Sequence, residues 1–176
     1  MLQYLVTYAS ETGNTQKIAD EIYRTLPNFR KEILNIRQWN GQYDSETYFI
    51  GFWVNHGTCS LEIIDLLSSL HGKNIALFGT CGLGNTPEYY RKIEKSALTW
   101  LPDDNHFLGS YFCQGCMPQE IRQKYELCRG KCDETQLNLM IKAYEEAKFH
   151  PNRQDLLRAN IFASEVITVA DKIQGR

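Results

Sequence analysis

An apolar run from Leu2 to Tyr8 passes directly into Ser10-Glu11-Thr12-Gly13-Asn14-Thr15, after which Ile18, Ala19, Ile22 and Leu26 recur at helical spacing as far as Pro27-Asn28. A strand, a short polar loop and a helix in that order place the free N–H groups of a first helical turn at the carboxyl end of a strand. Those donors sit at the positive end of the helix and have no partner inside it, which suits a phosphate. Ser10, Thr12 and Thr15 add hydroxyl donors, Gly13 permits positive φ or close approach, and Asn14 tolerates a turn conformation. The same residues also fit an ordinary capped βα loop. Other phosphate loops fit worse. The nucleoside triphosphate type requires Gly-x-x-x-x-Gly-Lys-Ser/Thr, a spacing that Gly13 and Lys17 do not supply; the dinucleotide type begins at Gly82-Leu83-Gly84, but Pro87 stands where its third glycine belongs.

The alternation continues along the chain. Glu32 to Ile36 reads as a second strand, Asn40-Gly41-Gln42 as a turn, and Thr47 to Val54 as a third strand rich in aromatic and β-branched residues. Asn55-His56-Gly57-Thr58-Cys59 forms a loop, and Ser60 caps a helix with Ile63, Ile64, Leu67 and Leu70 on one face. Lys73 to Thr80 is the fourth strand. Thr86 is an N-cap with Pro87 at the first helical position, followed by Tyr90, Ile93, Ala97 and Trp100 at helical spacing, and His106 to Cys113 is the fifth strand. Strands separated by helices imply a parallel sheet covered on both faces, a doubly wound α/β fold. From Pro118 onward the pattern is helical: Ile121, Tyr125 and Cys128; then Leu137, Met140 or Ile141, and Tyr144; then a last helix capped by Asn152 with Asp155 three residues on, carrying Ala159, Phe162, Val166, Ala170 and Ile173. The chain therefore reads as one domain over residues 1–176, with a core over 2–117 and a helical extension over 118–176 packed on the sheet.

With 176 residues of which 43% are hydrophobic, the chain can bury a substantial core. No apolar run approaches the ~20 residues that span a bilayer, and Met1-Leu2-Gln3 leads straight into a strand without a basic region and cleavage site, so a cytoplasmic protein is expected. In that compartment its six cysteines are reduced thiols. A net charge of −2 with no basic block argues against nucleic-acid binding.

A strand followed by Ser/Thr-x-Thr-Gly-x-Thr and a helix near the start of the chain resembles the flavodoxin family. The resemblance implies FMN as cofactor and a five-stranded sheet in the order 2-1-3-4-5. Ligands then bind beyond the carboxyl ends of the strands, at the switch point between strands one and three. Three loops converge there: Ser10, Glu11, Thr12, Gly13, Asn14 and Thr15; Trp53, Val54, Asn55 and Gly57 within 53–59; and Thr80, Cys81, Gly82, Leu83 and Gly84 within 80–85. Trp53 and Tyr89 resemble the aromatics that pack on the flavin in the family, although core packing is the other reading of both. The glycines of Cys81-Gly82-Leu83-Gly84-Asn85 allow backbone groups to meet the pyrimidine edge of the ring. By the same resemblance Gly57 is a candidate for a peptide flip on flavin reduction, while His56 reads as an exposed loop histidine. Members of the family are typically strongly acidic, so this chain departs from them. Asn55 is neutral and the third loop has no acid before Glu88, which implies a less negative low potential.

Cys113-x-x-Cys116 with Cys128-x-x-x-Cys132 offers the outline of a four-thiolate metal site or a redox pair, but inert packing of the cysteines is the simpler reading and no metal is expected. No nucleophile elbow, zinc-protease helix or paired-carboxylate site stands out. Gly51-Phe52-Trp53-Val54-Asn55-x-Gly57 and Phe112-Cys113-Gln114-Gly115 resemble a subgroup of the family in gut anaerobes that includes the accessory partner of bilirubin reductase. The resemblance implies an electron carrier between a reductase and a client enzyme, with no catalytic side chain of its own. The alternatives are a flavin-dependent NAD(P)H:quinone or nitro reductase, and a flavin-free subunit or scaffold.

Overall fold

Side chains that alternate between two buried faces make the central strands. The computed structural model describes residues 1–84 and 86–175. Its strands are β1 (Leu2–Tyr8), β2 (Lys31–Asn35), β3 (Ser45–Trp53), β4 (Asn74–Cys81) and β5 (His106–Gln114); its helices are α1 (Asn14–Thr25), α2 (Leu61–Ser69), α3 (Pro87–Leu98), α4 (Gln119–Leu127), α5 (Glu134–Ala147) and α6 (Arg153–Ile173). The strands are parallel and lie in the order β2-β1-β3-β4-β5, as the resemblance implies. Along β1, Tyr4, Val6 and Tyr8 turn to the face covered by α1 and α6, and Leu5 and the following Ala9 turn to the face covered by α2 and α3.

Each face has its own core. Ile18, Ala19, Ile22 and Leu26 of α1 and its C-terminal cap meet Phe49, Phe78 and Cys113 together with Ala159, Phe162, Ala163 and Val166 of α6. On the other side, Ile63, Leu66 and Leu67 of α2 and Ile93 and Ala97 of α3 close over Ile50, Phe52, Leu77 and Phe112. α6 is thus a layer of the core. The α4–α5 hairpin is what lies outside it, since α5 buries only Leu137, Tyr144 and Ala147 and α4 buries no residue.

Two glycines in the sheet make room for rings. A Cβ on Gly51 would stand 2.2 Å from the Phe78 ring, and one on Gly79 would stand 2.6 Å from the Phe52 carbonyl and 2.8 Å from the Phe112 ring. Capping follows the sequence in most places: Thr86 accepts from the Tyr89 N–H, and Asn152 and Asp155 form a capping box. Several details differ from the expected pattern. Ser60 occupies the cap position of α2 but its hydroxyl makes no capping bond, and Ile36 leaves β2 to begin a single 3₁₀ turn capped by Asn35. Trp100 lies beyond the end of α3 and is 45% exposed. Ile173 is also exposed at the end of α6. Among the described residues, no helix is long and apolar enough to cross a membrane.

Candidate functional site

A cavity of about 490 Å³ opens where β1, β3, β4 and β5 end. The first loop contributes Glu11, Thr12 and Asn14 to its wall; Ser10, Gly13 and Thr15 are not among the lining residues. Their contacts explain the division. Gly13 adopts φ 83° at the N-cap of α1, so no side chain caps that helix end and its first N–H groups remain available. Ser10 Oγ accepts from the Gly13 N–H at 3.1 Å and keeps its own proton to donate. Thr15 is buried, and its hydroxyl shares a 2.9 Å hydrogen bond with that of Thr80, which spends one of the two hydroxyl protons and ties the start of α1 to the end of β4. Asn14 donates from Nδ2 to Thr12 Oγ1 at 2.8 Å and to the Cys116 carbonyl at 2.7 Å.

The second loop is a tight hairpin. Asn55 and Thr58 exchange backbone hydrogen bonds of 2.9 and 3.1 Å, while His56 and Gly57 between them hold φ of 49° and 83°, the pair of positive values a two-residue primed turn requires. Trp53, Val54, Asn55, His56 and Gly57 all line the cavity, and His56 is exposed. From the third loop come Thr80, Cys81, Gly82 and Leu83, with Tyr89 just beyond; Gly84 packs against the Tyr89 ring and is not itself a lining residue. Asn85 lies outside the described residues. Of the neighbouring tyrosines, Tyr90 stacks on Phe112 in the core and Tyr89 faces the cavity.

Six of the cavity's residues lie outside the three loops singled out from sequence: Gly115, Cys116, Met117 and Pro118 continue β5 across the mouth, and α4 adds Ile121 and Tyr125. The spacing of four residues from Met117 to Ile121 to Tyr125 is the signal that could have found them. Its apolar face looks like any core helix until the topology puts the end of β5 beside the end of β4. A Cβ on Gly115 would press on the Asn14 side chain at 3.0 Å, a tight contact that Asn14 would have to yield to. Among the described lining residues there is one carboxylate, Glu11, and no lysine or arginine.

The cysteines are dispersed. Cys113 is buried at the end of β5, Cys116 is half-buried at the cavity, and Cys128 and Cys132 are exposed in the turn between α4 and α5. Cys128 is therefore not on a packed stripe, since α4 turns toward the cavity rather than the core. Among the described residues, no group of three or more His, Cys, Asp or Glu is placed to hold a metal. Burial pushes the Cys81 thiol up to about 12, and burial followed by the Asp155 charge raises that of Cys113. Both stay protonated and unreactive at pH 8. An aromatic disulfide reagent at that pH is expected to label exposed Cys128 and Cys132 quickly and Cys116 slowly, with Cys59, Cys81 and Cys113 reacting only in denaturant. Rapid modification of Cys81 or Cys113 in the native protein, read by peptide mass mapping, would contradict this burial.

Fold and cavity define a doubly wound α/β protein with a cavity at the carboxyl ends of its strands, lined by residues from the start of α1 and by the aromatic side chains of Trp53 and Tyr89. The Flavodoxin domain family matches residues 5–164, and the chain belongs to the flavodoxin family. It is 32% identical over 173 residues to the flavodoxin-like domain-containing protein BilS of Clostridioides difficile (strain CD3), covering 96% of this chain and 98% of that protein. Identity to the protein of the same name from Clostridium symbiosum (strain WAL-14163) is 27% over 176 residues, with 88% and 90% of the two chains covered. Among solved structures, the flavodoxin of Streptococcus pneumoniae TIGR4 superposes with a TM-score of 0.60 at 14% identity, over 94% of this chain and 98% of its own.

Proposed function

We propose that the cavity holds FMN and that the protein carries electrons between a reductase and a client redox enzyme. One observation supports this reading above the others: Thr12 and Asn14, at the uncapped N-terminus of α1, line the same cavity as Trp53 and Tyr89. A terminal phosphate and a planar aromatic ring are the two things such a seat can satisfy together. FMN, when bound, supplies one- and two-electron chemistry. The protein's own groups bind and orient it. The first N–H groups of α1 and the Thr12 hydroxyl, with the Ser10 hydroxyl behind them in the same loop, would hold the phosphate, Trp53 and Tyr89 would pack on the ring, and backbone groups of 54–57 and 80–84 would bind its polar edge. Gly57, already at positive φ in a tight turn, is the residue that would let the adjoining peptide reorient on reduction. Neutral Asn55 argues for a less negative low potential, with Glu11, the one carboxylate among the described lining residues, opposing it.

The segments 53–59, 80–84 and 86–89 beside the cavity are the rim on which partners would dock, with only modest salt sensitivity given a net charge of −2. A bilirubin reductase of the resembling subgroup is the client to test first. Apo-protein titrated with flavins is expected to bind FMN at least tenfold more tightly than riboflavin, a gap of about 1.4 kcal/mol or more. Equal affinities would remove the phosphate-loop assignment, and no flavin binding at all would favour a scaffold. The loaded protein should oxidise NAD(P)H slowly by itself and quickly once a reductase is supplied. Turnover by the isolated protein at roughly 10 per second would place it among the reductases.

A further inference from the structure

The segment that follows β5 is held over the cavity without being part of either core. α4 buries no residue, yet Ile121 and Tyr125, one turn apart on it, are half-buried and line the cavity, with Met117 one turn further back. The segment is tied down on three sides. The Gly115 N–H donates to the Cys81 carbonyl at 2.9 Å and the Cys116 N–H to the His150 carbonyl at 2.8 Å, while the Cys116 carbonyl accepts from Asn14 Nδ2 at 2.7 Å. Met117 lies across the third loop, where a Cβ on Gly82 would stand 2.3 Å from its sulfur. On the outer side of α4, Arg122 pairs with Glu126 and with Glu145 of α5, which fixes the hairpin by its solvent edge. An apolar helix face has thus been positioned, with hydrogen bonds at its root, over a cavity instead of a core. The Tyr125 hydroxyl is held above its ordinary range by desolvation, as expected for a ring turned inward.

We infer that Met117, Ile121 and Tyr125 form a fourth wall that touches the ring end of the ligand, so that affinity for a planar tricyclic ring, and not for its phosphate, depends on α4. The inference rests on the reading of the cavity as a flavin seat. It separates two halves of one site: α1 and the first loop hold the anion, and α4 adds apolar contact to the ring that Trp53 and Tyr89 approach from the loops. Such a wall also narrows the approach of a second small molecule to the ring, which accords with a carrier that exchanges electrons only through a docked protein.

The test compares dissociation constants for FMN and for riboflavin, measured by flavin fluorescence, in wild type, Tyr125→Ala, Ile121→Ala, Tyr125→Phe and Leu127→Ala. Removing the Tyr125 ring is expected to weaken both flavins by the same factor, about tenfold, leaving the FMN-to-riboflavin ratio unchanged. Tyr125→Phe retains the ring and the affinity. Leu127, 71% exposed on the same helix and outside the cavity lining, reports on α4 itself, and its alanine variant is expected to bind as wild type does. Melting curves of the apo-proteins accompany the titrations, and Ile121→Ala carries the test if Tyr125→Ala proves unstable. Wild-type affinities in both alanine variants, while wild type itself binds FMN, overturn the fourth wall and leave the flavin reading intact. A fall in FMN affinity alone, with riboflavin unchanged, also overturns it, because the effect then reaches the phosphate loop. Failure of wild type to bind any flavin removes both.

Discussion

Thr12→Asp is expected to weaken FMN by about a thousandfold while riboflavin binding stays near its wild-type value. Thr12 is exposed at the lip of the first loop, so a carboxylate there is solvated in the apo-protein and disturbs no packing. Its oxygen can still accept from Asn14 Nδ2, which now donates to Thr12 Oγ1, so the loop keeps its shape. What changes is the charge facing the phosphate. Two like charges about 4 Å apart near a protein surface repel by about 4 kcal/mol, which is close to three decades in affinity. Part of that is screened as salt rises, so the loss should shrink at high ionic strength. Paired titrations with FMN and riboflavin check the result. An equal loss for both ligands would mean that the loop does not face a phosphate.

Gly51→Ala is expected to destabilise the apo-protein by about 3 kcal/mol or more, at the upper end of overpacking effects. The added methyl would overlap the Phe78 ring at 2.2 Å, and Phe78 is itself fully buried between β3 and the α1–α6 layer, with no free side to yield to. Relief should come from the ring and from nowhere else. Phe78→Leu in the Gly51→Ala background is therefore expected to recover part of the loss, although alone it destabilises by leaving a cavity. Urea denaturation of the four proteins in this cycle measures the coupling, and strict additivity would show that the methyl is accommodated by backbone movement instead.

Much of this architecture is legible in the amino-acid sequence because strand and helix periodicities are local. The run of Leu2 to Tyr8, the stripes of α1 and α6 and the Thr86 and Asn152 caps each carry their own signal, and parallel strands joined by helices leave few topologies. The convergence of three loops follows from strand order. Pairings between distant residues do not. Thr15 reads from sequence as one more hydroxyl donor, and only the register of β1, β3 and β4 brings it to Thr80. The fourth segment is hidden for a related reason: Ile121 and Tyr125 announce that a face is apolar, but periodicity does not say whether a sheet, a neighbouring helix or a ligand covers it. Cys128 shows the converse, an apolar-looking position that ends in solvent because α4 stops there.

The bond between Asn14 and the Cys116 carbonyl joins residues 102 positions apart. Asn14 is made before the carbonyl that orients it, which leaves the ribosome only after β5 has been completed. An emerging chain can pair β1 with β2 and β3 and form α1 before then, yet its first loop lacks the strut that fixes Asn14. A nascent chain, or one cut before Cys116, therefore carries the first loop without this strut, and on the reading proposed above it would hold a flavin phosphate less firmly.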